Sequence, residues 1–324
     1  MSDKDYVIGF DLGGTKLMAT ALDRSFKPLA SNRKKTRAVD GGEAVYQRIK
    51  TCISDLVDQS ELKGRSLKGI GMGGPGILDS ETGVIVYTPN LHWENFPLGP
   101  RLQDDFDVKV CLDNDVNMGL YGEFHFGAGR GFKHVIGLFP GTGIGGGLVL
   151  NGEIYRGTGN AGELGHMTLE VGGPFGAEKM RGTLEALASR LAIAKEAAVL
   201  AAQGEAPWLL KNAGTDIGNI RSGVIAQSIE NGDKPIERVV RRAARYLGVA
   251  MGSLVNIFSP EAIILGGGLI EKLEDLYMEE TVKAMKKNSF TFMSKNVKVL
   301  PAALGDDAAV MGAAKLISEQ LERE

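Results

Sequence analysis

Short apolar runs alternate with longer amphipathic stretches along this chain, and the two patterns predict strands and helices respectively. In the helix predicted at residues 42–59, Val45, Ile49, Ile53 and Leu56 share one face. Because strands and helices alternate, we expect an α/β fold. The predicted strands lie at residues 6–40 (three strands), 68–73, 84–87, 108–112, 134–170 (strands and hairpins) and 263–265. The predicted helices lie at residues 42–59, 118–127, 183–202, 236–258 and 307–321.

The length of the chain predicts two domains, because 324 residues exceed the usual size of a single core. No linker-like stretch separates two halves, so we place the boundary near residue 118. The last predicted helix is expected to cross back to the first half. The predicted domains are therefore residues 1–118 with 307–324, a small N-terminal domain, and residues 119–306, a larger one.

The charge balance, with 37 Lys and Arg against 40 Asp and Glu, gives a formal net charge of −3 and no electrostatic reason to bind nucleic acid. The two cysteines, Cys52 and Cys111, form no Cys-x-x-Cys pattern, which argues against a disulfide framework. The N-terminus lacks an apolar signal core, and the uncharged stretch at residues 246–260 is too short and broken to span a bilayer. We therefore expect a cytoplasmic protein without membrane or nucleic-acid partners.

Residues 11–16, Asp-Leu-Gly-Gly-Thr-Lys, lie between two apolar runs and predict a strand, a tight glycine turn and a second strand. Because Gly13 and Gly14 have no Cβ, backbone N–H groups here can approach an anion closely. Asp11 supplies a hard carboxylate for Mg²⁺, directly or through water. Thr15 and Lys16 add a hydroxyl group and a positive charge. An ordinary β-hairpin turn is the alternative interpretation.

A second loop of the same design follows the apolar run at residues 134–139 and contains Gly141, Thr142 and Gly143. Its spacing matches Gly-x-Gly-x-x-Gly, but a dinucleotide-binding loop of that kind opens a helix. Here a strand and an Asn-Gly hairpin follow, so we reject a nicotinamide site. Two glycine hairpins, one in each half, predict a duplicated domain that binds the phosphate chain of a nucleotide from both sides.

Asn114 and Asp115 follow a predicted buried strand, and ligands of open α/β sheets bind outside the carboxyl ends of strands. Phosphoryl transfer to an alcohol needs a base near the attacking hydroxyl, which Asp115 can provide. The amide of Asn114 can donate to and accept from sugar hydroxyls. The alternative is an Asx-turn or a helix N-cap, for which both residue types are common.

Glu163 and His166 combine a carboxylate with an imidazole three residues apart, an arrangement suited to a polyol or to a metal ion. A partly buried His with a structural partner is the alternative. Asn90 adds an amide beside Trp93, which is expected to pack in the interior more readily than to stack on a sugar.

In their order, these motifs resemble those of the ROK family (repressors, open reading frames, kinases), part of the group with the actin, Hsp70 and hexokinase fold. The resemblance spans nearly the whole chain. The matching segments are residues 11–16 and 141–147 (phosphate motifs), 114–117 (catalytic segment), 163–166 (Glu-x-Gly-His sugar signature) and 265–268 (adenosine motif). The resemblance implies two actin-like (ribonuclease H-like) domains with mixed sheets and an interdomain cleft.

The resemblance also implies a role for each matched residue, with Asp115 as the general base and Mg-ATP as the nucleotide. Asp11 is the implied Mg²⁺ ligand. The implied sugar-binding residues are Gly74, Asn90, Asn114, Asp115, Glu163, His166 and Glu185. The implied ATP-binding residues are Gly13, Gly14, Thr15, Lys16, Gly141, Thr142, Gly143, Gly267 and Gly268.

Two departures from the family pattern bear on function. Many members hold zinc with three cysteines and the signature His, but here the cysteine positions hold Gly176, Glu178 and Thr183. A tetrahedral zinc site lacks ligands, so we expect no structural zinc. Family repressors carry an N-terminal helix-turn-helix, whereas only ten residues precede Asp11. This departure favours a kinase over a DNA-binding regulator.

The resemblance thus implies an ATP-dependent hexokinase, and first of all a glucokinase. Kinases for fructose, allose, N-acetylmannosamine or N-acetylglucosamine are alternatives within the same class. A non-catalytic sugar-sensing protein and a chaperone-like or filament-forming ATPase are alternatives from other classes. A homodimer or homotetramer is expected.

Overall fold

The computed structural model of the chain describes residues 2–323. Its strands are β1 (Asp5–Leu12), β2 (Lys16–Leu22), β3 (Pro28–Lys35), β4 (Ser66–Gly74), β5 (Ile77–Asp79), β6 (Val84–Thr88), β7 (Trp93–Phe96), β8 (Lys109–Asn114), β9 (Val135–Pro140), β10 (Ile144–Leu150), β11 (Glu153–Ile154), β12 (Ala262–Leu265) and β13 (Lys298–Pro301). Its α-helices are α1 (Gly42–Val57), α2 (Leu98–Phe106), α3 (Asp115–Phe126), α4 (Leu184–Ala188), α5 (Arg190–Ala202), α6 (Pro207–Ala213), α7 (Ser222–Glu230), α8 (Lys234–Phe258), α9 (Gly268–Lys287), α10 (Thr291–Ser294) and α11 (Ala308–Glu322).

The chain divides into two compact units. Unit 1 comprises Met1–Gly131, Ile154–Ala161 and Ala303–Glu324, and unit 2 comprises Phe132–Glu153 and Gly162–Ala302. The boundary expected at residue 118 falls inside α3, whose whole length lies in unit 1. The last helix belongs to unit 1.

The two units share one sheet topology. The sheet of unit 1 has the order β3-β2-β1-β4-β8, and the order β11-β10-β9-β12-β13 repeats it. In each sheet the central strand is antiparallel to the strand that follows it and parallel to its other neighbour, β4 or β12. The duplication predicted from the two glycine hairpins is therefore confirmed. Unit 1 adds a small sheet of β5, β6 and β7.

Strand β1 is buried along almost its whole length because it lies in the middle of its sheet. On one face of that sheet the apolar side of α1 is buried, including all four residues predicted to share it, Val45, Ile49, Ile53 and Leu56. On the other face, α11 packs through Val310, Ala314 and Ile317, which cluster with Val7, Met18, Leu22 and Cys111.

Glycines allow α11 to approach its neighbours backbone to backbone. A Cβ at Gly71 would lie 1.9 Å from the carbonyl oxygen of Ala313, and one at Gly312 would lie 1.9 Å from the carbonyl oxygen of Met118 in α3. Both distances are far below contact, so any larger residue at either glycine would push the helix away. The glycine-lined face fixes α11 against β4 and α3.

Several predicted elements differ from those in the structure. The strands expected at 134–170 end at Ile154, and the remainder is irregular apart from a 3₁₀ turn and an isolated bridge between Thr168 and Thr183. The helix expected at 183–202 is broken at Ser189, whose hydroxyl caps α5 by accepting the N–H of Ala192 at 3.2 Å. Within residues 2–323 no helix is both long and apolar enough to cross a membrane. The elements that were not predicted are β5, β7, β13, α2, α6, α7, α9 and α10.

Candidate active site

The first glycine loop closes the predicted hairpin between β1 and β2. The Gly13 N–H donates to the carbonyl oxygen of Lys16 at 3.0 Å, and the Thr36 hydroxyl donates to the carbonyl oxygen of Gly13 at 2.6 Å. Thr36 is buried, whereas Gly14 and Thr15 are exposed. The loop is thus held from beneath, and its tip presents a surface with few side-chain atoms.

Lys16 extends beside this loop and pairs with Asp306, at 2.6 Å between Nζ and Oδ2. The hydrogen bond from Lys16 lowers the pKa of the Asp306 carboxyl. The two side chains are 39% and 63% exposed, and solvent-exposed pairs of this kind contribute little to stability. Lys16 can therefore exchange Asp306 for a phosphate group at small cost. Asp306 was not predicted from the sequence.

The strand register brings several predicted residues to one edge of the sheet. In the parallel ladders, Asp11 lies opposite Gly73, and Gly74 lies opposite Asn114. Because β1, β4 and β8 run in parallel, their carboxyl ends meet at this edge, as predicted for Asn114 and Asp115. Asp11, Gly74, Asn114 and Asp115 are thus close together in unit 1.

The pKa of the Asp11 carboxyl is raised to about 7, first by burial and second by the negative charge of Asp115, against the opposing charge of Lys16. The repulsion shows that two carboxylates approach each other in a poorly solvated place. A divalent cation would turn this repulsion into attraction, and carboxylate oxygens are the ligands that Mg²⁺ prefers. The Asp11 carboxylate is therefore a suitable single ligand for Mg²⁺, and residues 2–323 contain no cluster of three or more acidic, His or Cys side chains that could hold a metal ion.

Asn114 caps helix α3: its Oδ1 accepts the N–H groups of Val116 at 2.9 Å and of Asn117 at 3.3 Å. The N-cap interpretation is confirmed. Two hydrogen bonds use the acceptor capacity of this oxygen, so a contact with a sugar must come from the Nδ2 amide as donor. Asp115 is the first residue of α3, and its Oδ1 also accepts the Val116 N–H at 2.9 Å.

Asp113 anchors this segment from below and is only 2% exposed. Its carboxylate accepts the Asn114 N–H at 2.7 Å, the Asn117 side-chain amide at 2.9 Å and the Arg156 Nε at 2.6 Å. A buried carboxylate with three donors is a rigid support. The ion pair with Arg156 was not predicted, because Arg156 lies 43 positions away along the chain.

Glu123 ties the end of α3 to the segment before α11, and it is fully buried. Its Oε1 accepts the N–H groups of Ala303 at 2.9 Å and Leu304 at 2.7 Å, and its Oε2 accepts the Ala128 N–H at 2.9 Å. These bonds fix the chain that leads to Asp306. Glu123 was not predicted, because nothing local distinguishes it from a surface residue of an amphipathic helix.

The second glycine loop connects β9 and β10 as a hairpin, with Ile144 paired to Pro140, so the strand predicted after the loop is confirmed. The Gly141 N–H donates to the Gly143 carbonyl at 2.8 Å, and Oε2 of Glu185 accepts the Ile144 N–H at 2.9 Å. The carboxylate implied as a sugar ligand thus braces the phosphate loop.

The adenosine motif lies beside this loop in unit 2, because β12 pairs with β9 and places Leu265 opposite Leu138. Gly267 has φ of 85°, a left-handed conformation that favours glycine, and a Cβ there would lie 2.9 Å from the Pro140 carbonyl oxygen. Gly268 begins helix α9. The structure therefore brings the two motifs implied for ATP together at one sheet edge.

The sugar signature forms a 3₁₀ turn that packs on β10. A Cβ at Gly165 would lie 2.0 Å from the carbonyl oxygen of Ile144, so glycine is required for this contact. The Glu163 Oε2 and His166 Nε2 lie 3.7 Å apart, and Glu163 is 60% exposed. The His166 Nδ1 is buried without a hydrogen-bond partner in the described part of the chain. The two predicted residues therefore converge.

Asn90 lies on a 3₁₀ turn between β6 and β7 in unit 1 and is exposed. Nearby Trp93 is 3% exposed and stacks on Phe96, with ring centroids 4.4 Å apart. The expectation that Trp93 packs in the interior is confirmed. Asn90 as a sugar ligand stays a prediction.

The loop that lacks the zinc cysteines is shaped by backbone bonds and one aromatic contact. Phe175 bridges Arg181 as a strand pair, and the guanidinium lies 3.8 Å from the centroid of the Phe175 ring. The Gly182 N–H donates to the Pro174 carbonyl at 2.8 Å, and the Thr183 hydroxyl caps α4. These contacts hold the loop in shape, and the absence of structural zinc stays a prediction.

Replacing Arg181 by Ala is expected to loosen this loop, because it removes the cation–π contact, worth about 1 kcal/mol. We expect limited proteolysis between residues 171 and 182 to speed up about fivefold, with an unchanged Tm. Arg245→Ala is the matched control, since Arg245 pairs with Glu280 far from the loop in sequence. Equal cleavage rates, or one zinc per chain by elemental analysis, would contradict this account.

The duplicated mixed sheet with a glycine hairpin in each unit is the actin-like (ribonuclease H-like) fold, so the predicted fold class is confirmed. The chain belongs to the ROK family, whose family model matches residues 7–320.

The comparisons include both catalytic and regulatory relatives. The chain is 32% identical over 326 residues to a glucokinase of Halalkalibacterium halodurans, covering 99% of this chain and 97% of that protein. It is 28% identical over 318 residues to a putative xylose repressor of Caldicellulosiruptor sp., covering 97% and 79% respectively. The crystal structure of a ROK family glucokinase from Streptomyces griseus, in complex with glucose and AMPPNP, is 28% identical with a TM-score of 0.81 and coverage of 96% and 98%.

Proposed function

We propose that this protein transfers the γ-phosphoryl group of ATP to a hexose, with glucose as the preferred acceptor and glucose 6-phosphate as the product. The observation that carries the proposal is the placement of the Asp115 carboxylate at the start of α3, beside Asp11 and at the carboxyl ends of β4 and β8. The similarity to the glucokinase of Halalkalibacterium halodurans and to a relative that binds glucose and AMPPNP supports it.

In the proposed reaction Asp115 accepts the proton of the sugar hydroxyl, O6 in glucose, as that oxygen attacks the γ-phosphorus. The new O–P bond forms as the bond to the bridging oxygen of the β-phosphate breaks, and ADP leaves with that electron pair. Asp113 and the N-cap of Asn114 keep the Asp115 backbone fixed. Positioning of this kind supplies much of the rate in phosphoryl transfer.

In unit 1, the exposed tip of the first glycine loop and the Lys16 ammonium group are proposed to bind phosphate, because the charge of Lys16 offsets that of a phosphate group. In unit 2, the second glycine loop is proposed to bind phosphate as well. A Mg²⁺ ion held by Asp11, directly or through water, would neutralise charge on the phosphates. Asn90, the Nδ2 of Asn114, Glu163 and His166 are proposed to hold the sugar hydroxyls.

With Mg-ATP, the protein is expected to phosphorylate glucose with a kcat/KM at least about tenfold above that for fructose, allose or the N-acetylated hexosamines, because one mispaired hydroxyl costs about that much or more. A coupled assay of ADP release over this panel of sugars is the measurement. A clear preference for another sugar would change the proposed phosphoryl acceptor but not the proposed kinase activity. No ADP release with any hexose would reject the kinase.

A sugar-binding regulator without turnover is the second candidate, and the similarity to a putative xylose repressor favours it. The two functions differ in one measurement. A regulator would bind glucose or xylose by calorimetry and release no ADP, whereas the kinase releases one ADP for each sugar phosphate formed.

A further inference from the structure

Arg190 is attached to the second glycine loop by both its backbone and its side chain. It is the first residue of α5, and its N–H donates to the Gly141 carbonyl at 2.9 Å. Its Nη2 donates to the Thr142 hydroxyl at 3.2 Å, and its Nη1 donates to the Ile220 carbonyl at 3.3 Å. A guanidinium group is therefore held in place against a loop whose shape suits phosphate.

A second arginine, Arg221, directly follows Ile220, whose carbonyl accepts the hydrogen bond from Arg190. Burial lowers the pKa of Arg190, and the positive charge of Arg221 lowers it further. Among the residues that the structure describes, neither guanidinium forms an ion pair, whereas Arg241 pairs with both Glu237 and Glu280. Two like charges side by side without a carboxylate repel each other, and an anion between them would relieve the repulsion.

The arginine pair adjoins the adenosine motif as well. Ser222 follows Arg221, and a Cβ at Gly268 would lie 3.3 Å from the Ser222 hydroxyl. A Cβ at Gly141 would meet no atom within 4 Å, so the surface beside the pair is open. Thr142, the two guanidiniums and Gly268 thus form one face of unit 2, which we call the arginine face.

We propose that Arg190 and Arg221 bind the phosphate groups of a linear phosphoanhydride chain, and that they set the affinity of the protein for its phosphoryl donor. This inference rests on the proposed kinase function. The bidentate fork of arginine matches phosphate oxygens, and Thr142 adds a hydroxyl. The same chemistry serves a nucleoside triphosphate and inorganic polyphosphate, so the experiment treats both.

The test measures binding without turnover, by calorimetry with ATP, ADP, adenosine and tripolyphosphate in the absence of sugar. Arg190→Met and Arg221→Met are each expected to weaken ATP and ADP binding about tenfold, and the double variant more, because each loses charge-assisted hydrogen bonds. Adenosine, which has no phosphate, is expected to bind equally to all variants. The salt dependence of ATP binding should fall with each arginine removed.

Arg242→Met is the matched control, because it removes one charge from unit 2 at a residue that pairs with Glu196. Arg190→Lys shows whether a folded protein with the charge retained recovers part of the affinity. An equal loss for adenosine, or unchanged ATP binding in both methionine variants, would overturn the proposal. Turnover then distinguishes the two phosphoryl donors. Activity with polyphosphate that depends on the arginines would identify polyphosphate as a donor, and activity with ATP alone would identify ATP as the donor.

The outcome for the arginine face is separable from that for the kinase. A protein that binds ATP through both arginines but releases no ADP with any hexose would reject the kinase function and keep the phosphate site. If the protein phosphorylates a hexose but binds ATP equally well without either arginine, the kinase function is supported and the proposed phosphate site is rejected.

Discussion

Replacing Asp115 by Asn is expected to lower kcat by at least about a hundredfold while leaving glucose binding nearly unchanged. The amide keeps the size of the side chain and its place at the start of α3, but it cannot accept the proton of the attacking hydroxyl. Steady-state kinetics with Mg-ATP and glucose, together with calorimetric titration of glucose, separate the two effects.

Asp104→Asn is the matched control, since Asp104 is an exposed carboxylate on α2. This control should retain full activity. If kcat of the Asp115→Asn protein stayed within a few fold of the parent, Asp115 would be only a helix-start residue, and the proton would leave by another route. That result would be compatible with kinase activity, but it would reject Asp115 as the general base.

Replacing Asp11 by Asn is expected to stabilise the protein at high pH while reducing its activity. The folded pKa of Asp11, about 7, lies above its usual value of 3.8, so the folded state binds the proton more tightly than the unfolded state. Stability is therefore highest at low pH and is lost as the pH rises from about 4 to about 7. An amide carries no charge, so the variant avoids this loss of folding free energy. At about 1.4 kcal/mol per pKa unit, the loss amounts to a few kcal/mol.

The measurement is Tm of the parent and Asp11→Asn proteins at pH 5 and pH 8, in EDTA. The gain in Tm should be larger at pH 8, by about 5 °C or more. Asp275→Asn, at an exposed position of α9, should show no such pH dependence. Added Mg²⁺ should shrink the difference between the parent and Asp11→Asn, because the cation stabilises the parent. A pH-independent difference would show that the pKa of Asp11 is not raised in the folded protein.

The elements predicted correctly are those with a strong local signal. The two glycine hairpins follow from dense glycine between apolar runs, and α1 follows from four apolar residues on one face. Helix α9 was not predicted, although Leu269, Leu273 and Tyr277 recur at helical spacing; its backbone departs from helical angles at Leu273. The strands expected after Ile154 fail because Gly157, Gly159 and Gly162 adopt positive φ, which a strand does not allow.

In the candidate site, too, some residues had a local sequence signal and others had none. Asp11 was proposed from its place beside the first glycine loop, and Asn114 and Asp115 were proposed from their place at the carboxyl end of an apolar run. The supporting residues were not identifiable from local sequence. Glu123 reaches amides about 180 residues away along the chain, and the Arg156 guanidinium reaches Asp113 from a glycine-rich segment. Partnerships of this kind are set by the fold, and no pattern within a single element reveals them.

The close contact of α11 with its glycine-lined neighbours also determines when unit 1 can fold on the ribosome. Its sheet is complete once β8 has been made, but the helix that covers Val7, Met18 and Leu22 begins only at residue 308. At about 5–20 residues per second, the ribosome needs roughly ten to forty seconds to advance from residue 114 to residue 308. During that interval the nascent chain presents an uncovered apolar face, and unit 1 can close only after α11 has been synthesised.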